Sequence, residues 1–412
     1  MKDFLEVARN RNFMLLWINQ FLSQVAVHTL NFLVILRIFE HTQSTIATSM
    51  VWIVFVLPAI LIGPIASTLV DFMDKKYVLM VANISQATII LMYAFALGNH
   101  IYLAYAVVML YSIFNQFYIP AELSSLPFLV KEKNLPHANG LFLITYQAAI
   151  LAGYGLSGVV SEVFGFKNTF IIASGLVYAA FVIVFLLPRI RPVKVRSFHM
   201  LGNVEYFWSD IAEGFSFIKS RRTVLLPFLT IVGLQVTLPV IVVNLPIISR
   251  DILMISPHFS GAAITAPAGV GAAIGIVVVS KYLKKKRKKD AIKIALGVLV
   301  LVYWLAMIVL PYIPSPYSLV ASTALFCVMG IAFIGIFIPA QTLLQLNTPK
   351  EMMARVFGNS WFFTSAATVV PMLFTASIVE LFGIEIMVFM IGMVIMLMRI
   401  YYDRVVEGRL YG

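Results

Sequence analysis

Apolar residues run through this chain in long stretches that are separated by short polar connections. Each stretch has roughly the 20 residues that an α-helix needs to cross the ~30 Å hydrocarbon core of a bilayer. Backbone groups cannot bond to water in lipid, so each stretch is predicted to be a helix. The twelve predicted spans are 12–36, 46–70, 77–97, 101–122, 138–162, 168–188, 222–249, 258–282, 291–311, 317–341, 355–380 and 383–402.

The longest polar connection, residues 189–221, lies between the sixth and seventh spans. It predicts an N-terminal six-helix bundle at 1–188, a cytoplasmic linker at 189–221 and a C-terminal six-helix bundle at 222–412. Apolar linker residues recur with the spacing of an amphipathic helix on a membrane surface. They are Val204, Phe207, Trp208, Ile211, Phe215 and Ile218. The linker is either a tether that couples two moving halves or a simple interfacial connection.

The two halves of the chain carry similar short strings in the same order. The clearest pairs are Pro120-Ala121 with Pro339-Ala340, and Glu162-Val163-Phe164-Gly165 with Glu380-Leu381-Phe382-Gly383. The two members of each pair are 219 and 218 residues apart. A duplicated six-helix unit, related by an axis along the membrane normal, is typical of transporters.

Composition excludes a soluble protein. Hydrophobic residues make up 61% of the chain and charged residues 12%, whereas soluble domains have about 45–50% and about 25%. One cysteine, Cys327, excludes an intrachain disulfide, and no two histidines have ligand spacing on one helix, so we predict no metal site and no cofactor. The predicted fold class is an all-α membrane protein with twelve transmembrane helices in two pseudo-symmetric six-helix bundles.

Basic residues are divided very unevenly between the two predicted membrane faces. With both termini on one face, that face holds 27 of the 30 lysines and arginines. Lysine and arginine favour the cytoplasmic side, so both termini are predicted to be cytoplasmic. The densest run is Lys284, Lys285, Lys286, Arg287, Lys288 and Lys289. Attraction to anionic lipid explains this short loop directly, and we predict no nucleic-acid binding.

Three strings occupy the junctions between predicted spans. They are Asp71-Phe72-Met73-Asp74-Lys75-Lys76, IPAELSSLPFLVKEKNLPHANGL at 119–141 and LLQLNTPKEMMARVFG at 343–358. Together they resemble the major facilitator superfamily, and within it the macrolide-efflux and enterobactin-exporter branch of drug:proton antiporters. The resemblance implies the major facilitator fold and a latch between cytoplasmic helix ends at Asp71. It also implies that the basic pair Lys75 and Lys76 meets lipid head groups. We place Lys75, Lys76 and Arg355 with Asp71 among the candidate gating residues.

The chain departs from that branch at three positions. Phe72 replaces the arginine expected after Asp71, and Tyr154 replaces the proline of a Gly-Pro-x-x-Gly-Gly motif. Val27 stands where many relatives carry an acidic residue. Because of this last departure, a proton-driven cycle needs a different titratable group.

Polar side chains inside the spans are the candidates for substrate binding, because lipid excludes them and they must face a partner helix or a cavity. In the first span they share one helical face, which fits either a substrate-lining stripe or interhelical hydrogen bonds. This stripe consists of Gln20, Gln24, His28 and Asn31. The other candidates are Tyr111, Asn115, Tyr118, Tyr146, Gln235, Asn244, Asn359 and Trp361.

Two of the titratable residues are placed to carry protons. Glu122 follows Pro120 near the cytoplasmic end of the fourth span, and His28 is the only histidine inside a span of the first half. Each has a structural alternative, since Glu122 could be a solvated carboxylate and His28 a packing residue. Proton coupling through either group is therefore a hypothesis.

Two equivalent carboxylates mark the outer ends of the fifth and eleventh spans. Glu162 and Glu380 could pair with Arg37, Arg250 or Lys167 and so close an outer gate. The alternative is that both carboxylates are simply solvated among lipid headgroups.

We predict a secondary active transporter, and no enzyme, that exports an amphipathic small molecule of the drug, macrolide or siderophore type by alternating access, with protons as the expected coupling ion. An importer or a lipid flippase of the same fold remains open. A membrane-embedded lipid-modifying enzyme would need a His, Asp or Glu cluster near one interface, and the inward loops lack one. We expect a monomer in a prokaryotic cytoplasmic membrane.

Overall fold

The structure is a computed structural model that describes residues 6–7, 9–96, 102–131, 134–191, 200–283, 287–314, 317–349 and 352–407. Within these ranges all regular structure is helical and no strand occurs. The predicted all-α fold class is therefore confirmed.

The first half of the chain forms helices α1 to α6. Their bounds are Arg11–Thr42 for α1, Thr45–Leu61 for α2, Gly63–Phe72 for α3, Lys75–Ala96 for α4, Leu103–Leu129 for α5 and Leu135–Phe185 for α6. Asn10 caps α1, because its side chain accepts the backbone N–H groups of Asn12 and Phe13. Helices α2 and α3 meet at 52°, where Pro64 starts a new helix without needing a backbone donor. Together these two helices correspond to the second predicted span.

The long helix α6 contains both the fifth and the sixth predicted spans. It is interrupted at Gly165, which has φ 77° and ψ 160°. The equivalent glycine of the sequence repeat, Gly383, ends its own helix at φ 89° and ψ 167°. Only glycine adopts this region without strain. The repeated string therefore has a repeated backbone conformation.

The second half of the chain forms helices α7 to α13. Their bounds are Met200–Ser220 for α7, Arg222–Val243 for α8, Ala266–Leu283 for α9, Lys288–Ile308 for α10, Tyr317–Asn347 for α11, Met353–Phe382 for α12 and Ile384–Glu407 for α13. A single α-turn and three short π- or 3₁₀-helical turns connect α8 to α9. Helices α9 and α11 cross with their backbones in contact, since a Cβ on Gly271 would overlap the carbonyl of Cys327.

Nine helices among the described residues are long and apolar enough to cross a bilayer, or ten if the bent α2–α3 pair is one span. Helix α6 counts once in that number, although it holds two predicted spans. Helix α10 is not among the nine. Its first six residues include four charged ones, Lys288, Lys289, Asp290 and Lys293. The helices are thus consistent with twelve spans.

The chain divides into two compact units. The first consists of Met1–Gln43 and Met50–Phe207, and the second of Ser44–Ser49 and Trp208–Gly412. The predicted linker at 189–221 is therefore shared, because its second part belongs to the second unit. The first turn of α2 also belongs to the second unit.

The apolar core of the first unit brings together α1, α3, α4, α5 and α6. Phe13, Val70, Leu79, Leu126 and Phe142 are members of this cluster and are almost fully buried. Helices α1, α4 and α5 also place polar side chains beside it, and these form the site described next.

Candidate functional site

A chain of five hydrogen-bonded side chains lies in the interior of the first unit. Ser23 Oγ donates to Asn83 Oδ1 at 3.2 Å, and Asn83 Nδ2 donates to Asn19 Oδ1 at 2.8 Å. Asn19 Nδ2 donates to the Tyr118 hydroxyl at 2.9 Å, and that hydroxyl donates to Glu122 Oε1 at 2.5 Å. We call these five residues the Glu122 chain.

All members of the Glu122 chain are buried, with Asn19 and Asn83 at 0% exposure and Glu122 at 2%. A buried polar group costs free energy unless it is hydrogen-bonded, and a buried charge costs more. The chain satisfies this requirement by linking α1 (Asn19, Ser23), α4 (Asn83) and α5 (Tyr118, Glu122). Glu122 is the only acidic side chain that is buried in the described part of the molecule.

The sequence predicted Tyr118 and Glu122 as functional but missed Asn19, Ser23 and Asn83. Asn19 and Ser23 are four residues apart and lie next to the predicted polar stripe of the first span, so helical spacing was the available signal. Asn83 lies two turns inside the third span, where an amide must find a partner.

The predicted stripe on α1 faces α6 at two of its positions. Gln20 Nε2 donates to the carbonyl of Phe142 at 3.3 Å. The imidazole of His28 lies between two tyrosine rings of α6, with centroids 5.8 Å from Tyr146 and 5.4 Å from Tyr154. The departure at Tyr154 thus supplies an aromatic wall for His28.

Several buried polar atoms of this stripe have no hydrogen-bond partner among the described residues. They are Gln20 Oε1, Asn31 Oδ1 and both ring nitrogens of His28. An unpaired buried group costs about 1–3 kcal/mol. Such atoms are available to bond a polar molecule that enters between the helices.

Glycine allows the close approach of α6 to α1 at this point. A Cβ on Gly153 would overlap the Cβ of His28 and lie 3.0 Å from the carbonyl oxygen of Val25. Gly153 belongs to the glycine-rich motif that the sequence singled out, so part of that motif has a packing role.

The remaining candidates of the first unit lie on α5. Tyr111 is 1% exposed, and its carbonyl accepts a long hydrogen bond of 3.5 Å from Gln86 Nε2. Asn115 is buried one turn further along. Both residues lie on α5 before Tyr118 and Glu122, but neither side chain belongs to the Glu122 chain.

The candidates of the second unit are dispersed over α8, α12 and the turn after α8. Gln235 is half-buried on α8. Asn244 is fully buried and its Nδ2 donates to the carbonyl of Val240 at 2.8 Å. Asn359 is also buried, and Trp361 lies on α12 with a side chain outside the described part. No hydrogen bond among the described residues joins these candidates to one another.

The linker helix α7 packs on the first turns of α12. Glu213 and Arg355 form an ion pair with 2.6 Å between Oε1 and Nη1. Two ring pairs accompany it, Trp208 with Phe362 at 5.6 Å and Phe215 with Phe363 at 4.9 Å. The side chains of Val204 and Phe207, which belong to the predicted amphipathic pattern, lie outside the described part.

Gly214 lies at the closest contact between α7 and α12. A Cβ there would overlap the side-chain amide of Asn359 and lie 3.2 Å from the carbonyl oxygen of Arg355. The predicted gating residue Arg355 and the predicted substrate residue Asn359 thus both contact the linker helix. Sequence spacing on α12 alone could not reveal this partner.

The junction between α3 and α4 is held by its lysines. Lys75 is 3% exposed, and its ammonium donates to the carbonyls of Asp71 at 3.2 Å and Met73 at 3.4 Å. Lys76 Nζ donates to the carbonyl of Phe185 near the end of α6 at 2.8 Å. Both lysines therefore neutralise the negative end of a helix. The carboxylate of Asp71, the predicted latch, is exposed in this structure.

The predicted outer-gate residues have partners that the sequence did not identify. Glu380 accepts from the Ser44 hydroxyl and from the backbone N–H of Ile46 at 3.0 Å, so it caps the start of α2. Arg250 pairs with the adjacent Asp251 at 2.5 Å. This hydrogen bond raises the pKa of the Arg250 guanidinium.

The other two cations of the predicted outer gate lie over aromatic rings. Arg37 is 5.7 Å from the ring centroid of Phe166, and Lys167 is 4.8 Å from that of Phe95. The predicted lipid-binding run lies partly outside the described residues, which include Arg287, Lys288 and Lys289 but not Lys284, Lys285 or Lys286.

Two compact helical units, helices of membrane-spanning length and a polar interior define the class of this protein, a polytopic membrane transporter. The chain belongs to the Major Facilitator Superfamily, whose family model matches residues 16–375.

Relatives identified by sequence are also transporters. An uncharacterized MFS-type transporter of Bacillus subtilis, YfiS, is 23% identical over 382 residues and covers 91% of this chain and 89% of its own length. The lysophospholipid transporter LplT of Photorhabdus laumondii is 25% identical over 80% of this chain and 78% of its own length. The multidrug resistance protein MdtG of Dickeya zeae is 25% identical over 61% of this chain and 58% of its own length.

Solved structures of low sequence identity share the fold. The nucleoside transporter NupG matches with a TM-score of 0.71 and 13% identity, over 98% of both chains. A bacterial homologue of the iron transporter ferroportin matches with a TM-score of 0.72 and 14% identity, over 96% of this chain and 98% of its own. At these identities the likeness shows the major facilitator fold.

Proposed function

We propose that this protein is a secondary active transporter that exports amphipathic small molecules by alternating access and couples this export to protons. The observation that carries the proposal is the burial of Glu122 inside α5, with Tyr118 as its hydrogen-bond donor. Ionisable residues inside membrane helices are costly, and those that occur mark substrate or proton pathways. Glu122 is thus our candidate for the titratable group that many relatives carry near position 27, where this chain has Val27.

The surroundings of His28 support an amphipathic substrate. Tyr146 and Tyr154 offer aromatic faces, which attract apolar groups and organic cations. Gln20 Oε1 and Asn31 Oδ1 are unpartnered acceptors on the same helix. A molecule with N–H or O–H donors beside an apolar body would satisfy both sets of groups.

Export is the direction that the sequence strings favour. The strings at 71–76, 119–141 and 343–358 resemble the macrolide-efflux and enterobactin-exporter branch. One relative of this chain is named a multidrug resistance protein. We therefore place drugs, macrolides and siderophores first among the substrates to be tested.

Lipid transport is the second candidate. The relative that covers 80% of this chain at 25% identity is named a lysophospholipid transporter. A lysophospholipid also joins a polar headgroup to an apolar tail, so it matches the same combination of acceptors and aromatic faces.

We further propose a monomer in a prokaryotic cytoplasmic membrane. Both termini are placed in the cytoplasm, because 27 of the 30 basic residues then lie on the cytoplasmic side. In this orientation Asp71, Lys75, Lys76 and Arg355 belong to the cytoplasmic gate. Glu162, Glu380, Arg37 and Arg250 belong to the outer gate. Anionic lipid would bind the basic run at 284–289.

Transport by purified protein in proteoliposomes tests the proposal. The substrates are a cationic dye, a macrolide, a siderophore and a lysophospholipid, each measured with and without an imposed pH gradient. Glu122→Gln should abolish accumulation against a concentration gradient but spare downhill exchange, because Gln cannot release a proton. Glu385→Gln, an exposed residue at the start of α13, is the matched control. Accumulation by Glu122→Gln at the wild-type ratio would show that Glu122 is not the coupling group.

A further inference from the structure

We propose that Asn19, Asn83 and Tyr118 are positioning residues that set the pH at which Glu122 exchanges its proton. This inference deepens the proton coupling proposed above and rests on it. Its basis is one property of the Glu122 chain, namely that every hydrogen bond in it is donated toward the carboxylate.

The direction of donation is consistent from end to end. The Ser23 hydroxyl donates to Asn83, whose amide nitrogen donates to Asn19. The Asn19 amide nitrogen donates to Tyr118, whose hydroxyl donates to Glu122. Bonds aligned in this way polarise one another, so each upstream amide strengthens the final bond. An ionised carboxylate only accepts hydrogen bonds, so the chain as built complements the charged form of Glu122.

The two oxygens of Glu122 have different surroundings. Oε1 accepts from Tyr118 at 2.5 Å, a length typical of a hydroxyl that donates to a charged oxygen. No hydrogen bond to Oε2 occurs among the described residues. A proton arriving from water therefore adds at Oε2 and forms an O–H bond there, and it returns to water from the same oxygen.

Protonation at Oε2 changes the strength of the chain without breaking it. Oε1 still accepts from Tyr118, but it is then part of a neutral carboxyl and a weaker acceptor. The Tyr118–Glu122 bond within α5 therefore weakens when the proton is bound. Because aligned bonds polarise one another, the bonds from Asn19 to Tyr118 and from Asn83 to Asn19, which join α5 to α1 and α1 to α4, weaken with it. In this way the protonation state of Glu122 is transmitted to the packing of three helices.

Two tyrosines of α5 are the nearest titratable groups to Glu122 in the described part. Tyr118 bonds to it, and the buried Tyr111 lies two turns before Tyr118 and interacts electrostatically with that residue. A phenol ordinarily ionises well above neutral pH. On α4, the ammonium of Lys75 lies over an aromatic ring at the end of α5, at 5.9 Å, and on α3 the carboxylate of Asp71 is exposed. His28 of α1 faces the tyrosines of α6. The pH response of the chain is therefore assigned to Glu122.

Tyr118→Phe is the direct test, because it removes the donor and keeps the ring. Loss of a hydrogen bond to a carboxylate disfavours the charged form, so a higher pH is needed to remove the proton. The pH midpoint of proteoliposome transport should move upward by about one pH unit, the size expected for one charge-assisted hydrogen bond. Tyr303→Phe, which alters a buried tyrosine of α10, should leave the midpoint unchanged.

A double-substitution cycle separates positioning from packing. Asn83→Ala should raise the midpoint by less than Tyr118→Phe, because it acts through Asn19 and Tyr118. In a Tyr118→Phe background, Asn83→Ala should produce no further shift. If Asn83 matters only for packing, Asn83→Ala will either leave the midpoint unchanged or shift it by the same amount in the wild-type and Tyr118→Phe backgrounds. Either result would contradict a positioning role for Asn83. Ser23→Ala is the milder variant, with a small upward shift expected, in case Asn83→Ala does not fold.

The outcomes distinguish the inference from the proposed function. If the wild-type protein shows no pH-driven accumulation of any substrate, the proposed proton coupling is wrong. If the wild type is pH-driven but Tyr118→Phe keeps the wild-type midpoint, the coupling stands and the role of the chain is overturned. Monodisperse elution of each variant in detergent establishes that it is folded.

Discussion

A carboxylate inside a membrane helix persists only where neighbouring groups satisfy it, and Glu122 shows how locally this is achieved. Its donor Tyr118 lies one turn earlier on the same helix, so this pair could be predicted from helical spacing. The amides of Asn19 and Asn83 come from two other helices. Periodicity defines the faces of one helix but not which face meets which, and for that reason the upstream residues were missed.

Gly165 and Gly383 both have a positive φ, a backbone conformation that requires glycine. Gly165→Ala should lower the free energy of unfolding by about 1–3 kcal/mol, because an L-residue is strained at φ 77° and ψ 160°. The cost arises from the backbone alone, since a Cβ at this position would meet nothing within 4 Å. Thermal unfolding of the purified protein in detergent would measure it. Gly175→Ala is the control, because its Cβ also meets nothing but its φ is helical; it should be neutral or slightly stabilising.

Helices in this protein are defined as much by their interruptions as by their apolar length. The sequence predicted one span at 46–70, where the structure has a bend between α2 and α3. It predicted two spans at 138–162 and 168–188, and the backbone of α6 breaks between them at Gly165. The break at Gly165 could be anticipated from its place in the repeat. The bend lies at Gly63 and Pro64, residue types at which helices commonly kink, but the sequence does not give the size of the kink.

The contact between α7 and α12 contains both an ion pair and a close approach of the two backbones. Substitutions at these two features should change stability by different amounts. In the ion pair, the side chain of Glu213 is 56% exposed and that of Arg355 is 35% exposed. Surface ion pairs of this kind contribute about 0–1 kcal/mol to stability. A Cβ at Gly214 would instead have to displace Asn359, and overpacking of this kind costs about 1–3 kcal/mol.

Gly214→Ala should therefore lower the apparent melting temperature more than Glu213→Gln does. Gly358→Ala, on the partner helix α12, is the matched control, because a Cβ there would meet nothing within 4 Å. Equal melting temperatures for Gly214→Ala and Gly358→Ala would mean that α7 does not pack on α12 in solution.

For the molecule as a whole, composition and charge were the most informative features of the sequence. They predicted the membrane class and the all-α fold, because hydrophobic length and the need to satisfy backbone groups leave few alternatives. Substrate candidates could not be assigned in the same way. Asn359 illustrates the reason, since its polar position on α12 suggested a cavity and the structure places it under the linker helix.

The basic run at 284–289 should control how the chain is oriented in the membrane. Replacing its six lysines and arginines with glutamine should lower the fraction of molecules with a cytoplasmic C-terminus, because it removes six of the 27 basic residues predicted on that side. Protease accessibility of a C-terminal tag in sealed vesicles would measure this fraction. An all-arginine version keeps the charge and is the control. Unchanged orientation combined with lower turnover per molecule would instead assign the run to transport.

The first turn of α2 has a consequence for biosynthesis. The N–H of Ile46 is bonded by Glu380, which lies 334 residues further along the chain. At ribosomal rates of about 5–20 residues per second, the acceptor emerges on the order of half a minute after the donor. Ser44–Ser49 must therefore remain uncapped beside a growing nascent chain, and their docking is among the last steps by which the newly made protein is completed.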